Sequence, residues 1–438
     1  MRNLERAIRD KTATVAVIGL GYVGLPVACT LAQAGFRVLG IERDEAKAEQ
    51  INEKISPIGD QEPGLAELLE EAIGSGRLQV TADHEWCSQA DVILIAVETP
   101  VHPVSKVPSY EALRAALEEL GPHLQSGSLV IVESTIAPGT MEQVVRPLLE
   151  QTSNLEAGKG FHLAFCPERV MPGKLLANLR NCDRVIGGQT PQAAELAREL
   201  YRHFVLADLD VTDTLTAELV KATENAYRDV QIAFANEIAL LCENVGADVH
   251  EVRALVNKSP FRQMHVPGAG VGGHCIPKDP WLLLHGTQGE LQARLIPVSR
   301  SVNDGMPLHV ASLAEEALLS AGVPVQGAKV TVLGYAYLEN TSDARNSPTV
   351  PLVERLRVRG AKVTIHDAHF PEYDRDLEEA VEGSDCVILM VAHDEYRALD
   401  LADLRERMAT PVLIDGRNVW SKSRARELGF LYAGVGNR

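Results

Sequence analysis

The stretch that decides the fold is residues 12–42, TATVAVIGLGYVGLPVACTLAQAGFRVLGIE. A β-branched run ends in glycines, a segment with helical spacing follows, and a second apolar run comes next, which predicts strand, helix and strand. Gly19, Gly21 and Gly24 form a G-x-G-x-x-G motif, whose glycines permit a tight turn and the close approach of a pyrophosphate to a helix N-terminus. Glu42 ends the second run about 20 residues further on, where the group that binds the adenosine ribose hydroxyls is expected. The stretch therefore predicts a dinucleotide-binding unit.

This acidic residue also bears on which dinucleotide is bound. The carboxylate of Glu42 repels a 2′-phosphate and so favours NAD over NADP, although Arg43 beside it weakens that preference. We therefore expect NAD as the cofactor.

Further apolar runs extend this unit and then repeat it. In the N-terminal half they are DVILIAV (91–97), SLVIVES (128–134), HLAFCPE (162–168) and RVIGG (184–188). The C-terminal part shows the same alternation in AKVTVLG (328–334), PTVPLVERLRVRG (348–360), AKVTIHD (361–367), SDCVILMVAH (384–393) and PVLIDGR (411–417). Near-continuous apolar strands that alternate with helices indicate a parallel sheet covered on both faces.

A long helix is predicted between these two units, because residues 213–245 contain no glycine or proline. We expect an α/β protein with two Rossmann-like doubly wound domains, joined by a helical middle domain that contains this central helix. The expected domains are 1–205, 206–315 and 316–438. A helix of this size is about 50 Å long and extends beyond one domain, so we expect it to build a homodimer or a higher homo-oligomer.

The composition excludes several classes of protein. The 438 residues are 45% apolar and 23% charged, as in ordinary globular chains, and the net charge of −18 disfavours nucleic acid and anionic membranes as partners. The seven cysteines are scattered without a metal-ligand or disulfide spacing, so no metal site is expected. The N-terminal sequence lacks the apolar core of a signal peptide, and no apolar run reaches the roughly 18 residues of a membrane helix. We expect a cytoplasmic protein.

One cysteine stands apart from the others. Cys275 lies in VPGAGVGGHCIPKDP (266–280), a loop rich in glycine and proline, and irregular backbone of this kind often carries function. The nearby Lys278 favours a lowered thiol pKa, as in a nucleophile. A lone cysteine is also commonly a small buried hydrophobe, so the residue pattern alone leaves the two interpretations evenly matched.

Polar residues end three of the predicted N-terminal strands, namely Thr99, Thr135 and Glu168. Open α/β sheets bind ligands at the carboxyl ends of their strands, which makes these residues candidates for a site. Each one taken singly is also explained as a turn-forming group or a helix cap.

The predicted long helix carries a polar stripe. Lys221 and Asn225 are four residues apart and share a face, and Arg228 lies three residues further on. Such a stripe is usually a solvated face, so on spacing alone its functional interpretation is the weaker one.

Together these motifs resemble the UDP-glucose/GDP-mannose dehydrogenase family along the whole chain. The resemblance rests on VIGLGYVGLP, ETP, ESTIAPGT, CPERVMPGK, AELVKATENAYRDVQIAFANE, PGAGVGGHC followed by Asp279-Pro280-Trp281, SDARNSP and DGRN. CPER and GVGGHC are similar to the branch that acts on UDP-N-acetylhexosamines. Branches that act on UDP-glucose usually have serine before the cysteine and NPEF in place of CPER.

The resemblance implies that two NAD+ oxidise a sugar C6 alcohol to a carboxylate by four electrons. It implies six catalytic residues: Cys275, Lys221, Asn225, Asp279, Glu168 and Thr135. Cys275 would hold the intermediate aldehyde as a thiohemiacetal and then as a thioester, which water releases. Glu168 is the implied base for that hydrolysis, and the others position water or stabilise oxyanions.

The resemblance also implies residues that bind NAD and a UDP-N-acetylhexosamine substrate. For the cofactor these are Gly19, Gly21, Tyr22, Val23, Gly24, Glu42, Arg43, Thr99, Thr135 and Arg345. For the substrate these are Glu168, Arg169, Val170, Lys221, Asn225, Arg228, Arg262, His265, Gly270, Gly273, Tyr337 and Arg417. The charges of Arg345 and Arg417 meet the local need for cations that an anionic ligand creates in an acidic protein.

One position departs from the family pattern. The chain reads Tyr337-Leu338-Glu339, where the family commonly has a lysine after the aromatic residue, and this bears on the sugar rather than on the reaction type. Two other functions compete with the one implied. A two-electron dehydrogenase of the β-hydroxyacid type would not need Cys275 or the second α/β unit. A catalytically silent nucleotide-sugar sensor is favoured by the missing lysine and disfavoured by the retained catalytic set.

Overall fold

The computed structural model describes residues 4–58, 62–287 and 289–437. The chain forms two compact units. The first comprises Met1–Glu224 with Trp281–Gln292, and the second comprises Asn225–Pro280 with Ala293–Arg438. The division into three domains expected from the sequence stays a prediction.

The first unit is built on one eight-stranded sheet. Its strands are β1 (Thr14–Ile18), β2 (Arg37–Ile41), β3 (Leu78–Thr81), β4 (Val92–Ile95), β5 (Leu129–Val132), β6 (His162–Phe165), β7 (Arg184–Gly188) and β8 (Leu209–Asp213). They lie in the order β3-β2-β1-β4-β5-β6-β7-β8, and the six from β3 to β6 are parallel. The carboxyl ends of β1, β2, β4, β5 and β6 therefore share one edge of the sheet.

The pairing of β6 with β7 departs from the parallel sheet that the sequence predicts. Ala164 pairs with Gly188 and Phe165 with Gly187 in the antiparallel sense, while β8 is parallel to β7. If β7 were parallel to β6, the chain would first have to cross from the carboxyl ends of the strands back to their amino ends. The intervening residues 166–183 instead contain a single helix of seven residues, so the chain re-enters the sheet from the edge it has just left.

Helices flank the sheets and connect their strands. Up to residue 201 they are α1 (Leu4–Arg9), α2 (Gly24–Ala34), α3 (Glu45–Asn52), α4 (Leu65–Gly74), α5 (Glu111–Leu120), α6 (Arg146–Ser153), α7 (Leu175–Asn181) and α8 (Pro191–Tyr201). The later helices are α9 (Thr214–Val245), α10 (Val249–Val256), α11 (Asp279–His285), α12 (Leu295–Ser320), α13 (Thr349–Val358), α14 (Leu377–Val381), α15 (Asp394–Arg397), α16 (Leu401–Arg407) and α17 (Lys422–Glu427). Short turns of 3₁₀ helix cover His84–Gln89 and Gly121–His123, and a π-helical turn covers Met141–Val145.

The first sheet is covered on both faces, as the apolar runs predict. In β1, Val15 and Val17 are buried in one apolar cluster with residues of α2, α4 and α8, whereas Ala16 and Ile18 are buried in another with residues of α5 and α6. This alternation is the two-residue period of a strand that has an apolar layer on each side. The doubly wound arrangement is therefore confirmed for this unit.

The second unit contains a five-stranded sheet in which all strands are parallel. Its strands are β9 (Lys329–Leu333), β10 (Lys362–His366), β11 (Cys386–Leu389), β12 (Val412–Asp415) and β13 (Leu431–Gly434), in the order β10-β9-β11-β12-β13. In β11, Cys386 and Ile388 face one buried cluster and Val387 and Leu389 face another. The second Rossmann-like unit predicted from the sequence is confirmed.

The long helix is confirmed as α9, whose 32 residues run from Thr214 to Val245. It begins in the first unit and ends in the second. Without proline or glycine, its hydrogen-bond ladder continues unbroken. In the described part of the chain, none of the helices combines the length and the apolar character that crossing a membrane requires.

Candidate functional site

The dinucleotide loop has the geometry that its glycines predict. Gly19 has φ +88°, and a Cβ on it would lie 2.8 Å from the Ala96 carbonyl oxygen. A Cβ on Gly24 would lie 1.9 Å from the Gly19 carbonyl oxygen, so both positions exclude larger residues. At Gly21, by contrast, a Cβ would meet no heavy atom within 4 Å. The loop thus closes on itself at its two ends and leaves open space at Gly21, which suits the approach of a pyrophosphate.

A cavity of about 340 Å³ lies beside this loop, at the carboxyl ends of β1, β2 and β4. Gly21, Glu42, Arg43, Lys47 and His84 are among the residues that line it. In open α/β sheets this is the edge where dinucleotides bind. The residues present therefore fit NAD.

Glu42 is buried at the edge of this cavity, and both of its oxygens already have partners. It accepts hydrogen bonds from the Leu20 and Asp44 backbone amides at 3.2 and 3.3 Å and from the Lys47 ammonium at 2.6 Å. Sequence reasoning missed Lys47, although it lies only five residues beyond Glu42 and one turn into α3. The exposed Arg43 instead lies 3.8 Å from the Glu98 carboxylate.

Tyr22 and Val23 complete the glycine loop. Val23 packs against the core at the start of α2, and the Tyr22 hydroxyl donates to the Glu62 carboxylate. Glu62 is buried and also accepts from the Gly173 and Leu175 amides at 2.7 and 3.0 Å. Glu62 thus ties the cofactor loop to the segment that follows Glu168, a role that no sequence motif indicated.

The strand-end threonines lie together, as the parallel sheet requires. The Thr99 hydroxyl donates to the Thr135 carbonyl oxygen at 2.6 Å, which joins the segment after β4 to the segment after β5. Ser134 adds a second link by donating to the Val97 carbonyl oxygen at 2.6 Å.

Glu168 and Lys221 form a buried pair in the first unit. The Lys221 ammonium donates to the Glu168 carbonyl oxygen at 2.6 Å and lies 3.8 Å from its carboxylate. The other carboxylate oxygen of Glu168 accepts from the Val170 amide at 2.7 Å. Lys221 therefore holds both the backbone carbonyl and the carboxylate of Glu168. A solvated polar face, the alternative interpretation of the stripe, would not explain these contacts.

Arg169, next to Glu168, is held by contacts of its own. Its guanidinium pairs with the Glu224 carboxylate and donates to the Asp183 carbonyl oxygen at 2.6 Å. Val170 is partly buried against the core of the first unit. These contacts hold the segment that carries Glu168.

In the second unit, the Cys275 loop turns back on itself into α11. The Cys275 carbonyl oxygen accepts from the Lys278 and Asp279 amides at 3.0 and 2.8 Å. The Asp279 carboxylate is fully buried, accepts from the Asn225 side-chain amide at 2.5 Å and lies 2.9 Å from the Lys278 ammonium. The structure thus brings together Asn225 and Asp279, two of the residues that the resemblance implies for catalysis.

A second loop packs on the residues just before Cys275. The Gly273 amide donates to the Arg345 carbonyl oxygen at 2.8 Å, and the Asn346 side chain donates to the Gly273 carbonyl oxygen at 2.9 Å. Gly273 has φ +86°, and a Cβ on it would lie 2.7 Å from the Tyr337 ring. Glycine is therefore required where this loop meets Tyr337.

The loop that packs before Cys275 also carries charged groups that act on this cysteine. The Arg345 guanidinium forms an ion pair with Asp343 at 2.5 Å, and this hydrogen bond is the main cause of the raised pKa of Arg345, to which a Cys275 thiolate also contributes. Burial raises the pKa of Tyr337 to about 12, with smaller contributions from Asp343 and Cys275. Cys275 therefore shares its surroundings with a cation and a neutral phenol, both of which favour a negative charge on sulfur or oxygen.

Arg417 is the second predicted arginine of this unit. Its Nε donates to the Met390 carbonyl oxygen at 2.7 Å, and burial lowers its pKa. In the described residues no carboxylate lies within ion-pair distance of it. A Cβ on Gly268 would lie 2.9 Å from the Arg417 Nη1, and a Cβ on Gly270 would lie 3.0 Å from the Pro307 ring. The guanidinium thus lies against a glycine-rich turn with donors available for an anion.

The remaining predicted substrate residues lie on the second unit as well. His265 is within 3.2 Å of the Gln231 side chain, and its pKa is lowered by burial and then by Arg228. Arg228 is exposed. Arg262 is also exposed, and its guanidinium donates to the Pro260 carbonyl oxygen of its own turn at 3.2 Å.

Three consecutive segments of the chain match the UDP-glucose/GDP-mannose dehydrogenase family. They are its NAD binding domain over residues 13–205, its central domain over residues 215–305 and its UDP binding domain over residues 331–422.

Individual relatives match over nearly the whole chain. The UDP-N-acetyl-D-mannosamine dehydrogenase of Pyrococcus horikoshii is 39% identical over 96% of this chain and 99% of its own. The NDP-N-acetyl-D-galactosaminuronic acid dehydrogenase of Ralstonia solanacearum is 36% identical over 96% of this chain and 99% of its own. The solved structure of the Pyrococcus horikoshii enzyme superposes with a TM-score of 0.91 at 38% identity, over 97% of this chain and 99% of that one. The chain therefore belongs to the UDP-glucose/GDP-mannose dehydrogenase family and is an NAD-dependent UDP-sugar dehydrogenase.

Proposed function

We propose that the protein oxidises the C6 alcohol of a UDP-N-acetylhexosamine to the uronate, with UDP-N-acetylmannosamine as the preferred substrate and UDP-N-acetylglucosamine as the next. The observation that carries this proposal is the setting of Cys275, in a fixed turn beside Arg345 and Tyr337. A two-electron dehydrogenase has no use for a thiol placed in this way. The Pyrococcus horikoshii relative, named a UDP-N-acetyl-D-mannosamine dehydrogenase, supports the choice of sugar.

The cofactor is assigned to the edge of the first sheet. Gly21 and its neighbours would hold the pyrophosphate and Glu42 the adenosine ribose, while Thr99 and Thr135 lie further along the same edge. NAD+, when bound, accepts a hydride in each of two successive oxidations. Glu42 with its Lys47 partner would present an acceptor rather than a free cation to the ribose, which suits a hydroxyl better than a 2′-phosphate.

The chemistry on the substrate balances through Cys275. The alcohol first loses a hydride and a proton to become an aldehyde, and the Cys275 thiolate then adds to the carbonyl carbon to give a thiohemiacetal. Loss of a second hydride leaves a thioester. Water attacks that carbon, the carbon–sulfur bond breaks, and the uronate leaves with the thiolate restored. Each uronate formed therefore consumes two NAD+ and one water and produces two NADH.

The other catalytic roles follow the family resemblance and the contacts of each residue. Glu168 is assigned as the base for thioester hydrolysis, since Lys221 and the Val170 amide hold its carboxylate in place. Lys221 is assigned to stabilise oxyanions as well. Asn225 and Asp279, hydrogen-bonded to each other, are assigned to position water.

Binding of the nucleotide sugar is assigned mainly to arginines. Arg417 would meet the phosphates, because its guanidinium has donors left over and lies beside a glycine turn. Arg345, held by Asp343, is assigned to the cofactor. The exposed Arg262 is assigned to the phosphate or the sugar of the substrate. Gly270 and Gly273 would allow the substrate to approach the backbone closely.

An assay with a panel of nucleotide sugars tests this function. UDP-N-acetylmannosamine, UDP-N-acetylglucosamine, UDP-N-acetylgalactosamine and UDP-glucose are each supplied with NAD+, and NADH and uronate are measured. We expect the highest kcat/KM with UDP-N-acetylmannosamine and two NADH for every uronate. One NADH per oxidised product would contradict the four-electron reaction, and binding without any turnover would favour a sensor.

We also propose that α9 pairs with a second copy of the chain. Tyr227, Phe234 and Leu241 follow one another at seven-residue intervals and are 63%, 56% and 56% exposed. On one helix this spacing places them in a single stripe, and a contiguous exposed apolar stripe marks an interaction surface.

Light scattering at micromolar concentration is expected to give at least the mass of a dimer. A Phe234→Glu variant should dissociate, because it places a charge in the apolar stripe. Val358→Glu is the matched control, since Val358 on α13 is 87% exposed and lies outside the stripe. A monomeric wild type, or a Phe234→Glu variant with unchanged mass, would exclude this interface.

A further inference from the structure

Glu218, in the second turn of α9, is a buried acid to which the family resemblance assigned no role. It is 1% exposed. One carboxylate oxygen accepts from the Gly139 amide at 2.7 Å and the other from the Met141 amide at 2.8 Å. Both oxygens are thus committed to a single short segment of backbone.

That segment is the loop that carries Thr135. Its start is held by the Thr99 hydroxyl, and its middle is held by Tyr110, whose hydroxyl accepts from the Ala137 amide at 2.9 Å and lies 3.1 Å from the Thr140 hydroxyl. Glu218 holds the end of the loop through the Gly139 and Met141 amides. The Thr135 loop is therefore fixed at three points, of which Glu218 is the one that carries a carboxylate.

The electrostatic setting of Glu218 is costly. Burial, assisted by the charged Glu142 and Asp213 that face it, raises its pKa to about 7. Tyr110 faces it as well, and in return the Glu218 charge adds to the effect of burial in raising the pKa of Tyr110. In the described chain no lysine or arginine forms an ion pair with Glu218. A neutral side chain would avoid this cost, but the two amides bind different oxygens of Glu218, and an ionised carboxylate is the side-chain group that offers two acceptor oxygens with no donor.

The position of Glu218 on α9 adds to the argument. Lys221 follows three residues later, on the same face of the helix, and holds the Glu168 carbonyl oxygen at 2.6 Å. The early turns of α9 thus hold both segments of the first unit, the one with Thr135 and the one with Glu168. Helix α9 is in this sense a rigid support for residues assigned to the reaction.

We propose that Glu218 is a positioning residue for the dehydrogenase reaction, whose ionised carboxylate fixes the loop that presents Thr135. The proposal rests on the function proposed above. Protonation of Glu218 removes one acceptor, so the loop is held by a single bond at low pH and by two at high pH. Activity is therefore limited by a group that ionises near neutral pH.

The test compares the wild type with Glu218→Gln between pH 5.5 and 9. In the wild type kcat should rise with pH through about 7, the pKa of Glu218. In the variant this rise of kcat with pH should be absent. At pH 8 its kcat should be lower than that of the wild type on the order of tenfold, because a displacement of about 1 Å at a reacting group lowers the rate by up to ~100-fold. Glu142→Gln is the matched control: it keeps this rise but moves its midpoint to lower pH, since Glu142 is one of the groups that raise the pKa of Glu218.

Thermal unfolding gives a readout that a merely structural role would not move in this way. The folded protein holds the Glu218 proton more tightly than the unfolded chain does, so the stabilisation is present below about pH 4.5 and lost as pH rises through about 7. From pH 5 to pH 8, the Tm of Glu218→Gln relative to wild type should therefore increase, while its kcat relative to wild type falls. A Tm difference that is independent of pH, or a wild-type rise of kcat with pH retained in the variant, would overturn the proposal.

Hydrogen exchange of the wild type alone separates this proposal from the proposed function. After correction for the intrinsic pH dependence, the amides of Gly139 and Met141 should be better protected at pH 8 than at pH 6. If the amides show this protection but the protein oxidises none of the sugars, the result would support Glu218 as the group that holds the loop and would reject only the proposed substrate class. Equal protection at both pH values in an active enzyme would reject the role of Glu218 alone.

Discussion

We expect Cys275→Ala to form no uronate from a UDP-N-acetylhexosamine, whereas the wild type should form one uronate for every two NADH. The reason is that the second hydride must leave a tetrahedral carbon that also carries a hydroxyl or alkoxide oxygen, and the thiohemiacetal with Cys275 provides such a carbon, which the free aldehyde does not. Without the thiol, the reversible first oxidation is the only route left, and NAD+ is reduced slowly at most. NADH measured by absorbance and uronate measured by mass spectrometry decide the result.

The control for this variant is another partly exposed cysteine. Cys182 accepts a hydrogen bond from the Asn178 side chain at 3.1 Å, and nothing assigns it to the reaction. Cys182→Ala should keep the ratio of two NADH per uronate. Full uronate production by Cys275→Ala would reject the covalent mechanism, and one NADH per product in the wild type would favour a simple alcohol dehydrogenase.

Lys221→Ala should lower kcat by roughly 100- to 1,000-fold with Cys275 still in place, which is the usual cost of losing one group that stabilises an oxyanion. The structure adds a second reason for a large effect. The Lys221 ammonium holds the Glu168 carbonyl oxygen at 2.6 Å and lies 3.8 Å from its carboxylate, so its removal also frees the assigned base. Steady-state kinetics at saturating substrate measures the loss.

A second substitution separates lost chemistry from lost packing at this buried position. Lys221→Met keeps most of the apolar volume and removes only the ammonium, so it should be nearly as slow as Lys221→Ala while unfolding at a higher temperature. Lys159→Ala is the control, because the Lys159 side chain is 75% exposed and forms an ion pair with the exposed Glu156. A Lys221→Met variant within tenfold of wild-type kcat would contradict the assigned role.

Much of the fold follows from local sequence patterns. The strand, helix and strand of residues 12–42 appear where periodicity and the glycine motif place them, and α9 begins one residue after the predicted start. These elements are predictable because apolar spacing, a glycine-only turn and the absence of helix breakers are properties of a few neighbouring residues. Strands β3, β8 and β13 went unpredicted, and all three are edge strands, where burial is incomplete and the apolar pattern is weak.

The candidate site was only partly predictable for a related reason. Thr99 and Thr135 could be paired in advance, because the carboxyl ends of parallel strands share an edge. Nothing in the spacing of Glu62 or Glu218 indicated that each would hold a distant loop by two backbone amides. Backbone amides carry no residue-specific signal, so an acid that binds them has no partner visible in the sequence.

By itself, then, the sequence determined the two doubly wound units, the long helix and the cofactor loop, since each of these depends on residues close together in the chain. Only the tertiary structure decided which charged group meets which partner. Lys221 and Glu168 are 53 residues apart, and Glu62 is 113 residues from Leu175, whose amide it binds. Such hydrogen bonds require atoms within about 3 Å, and that condition is met only once the order of the strands in the sheet is set.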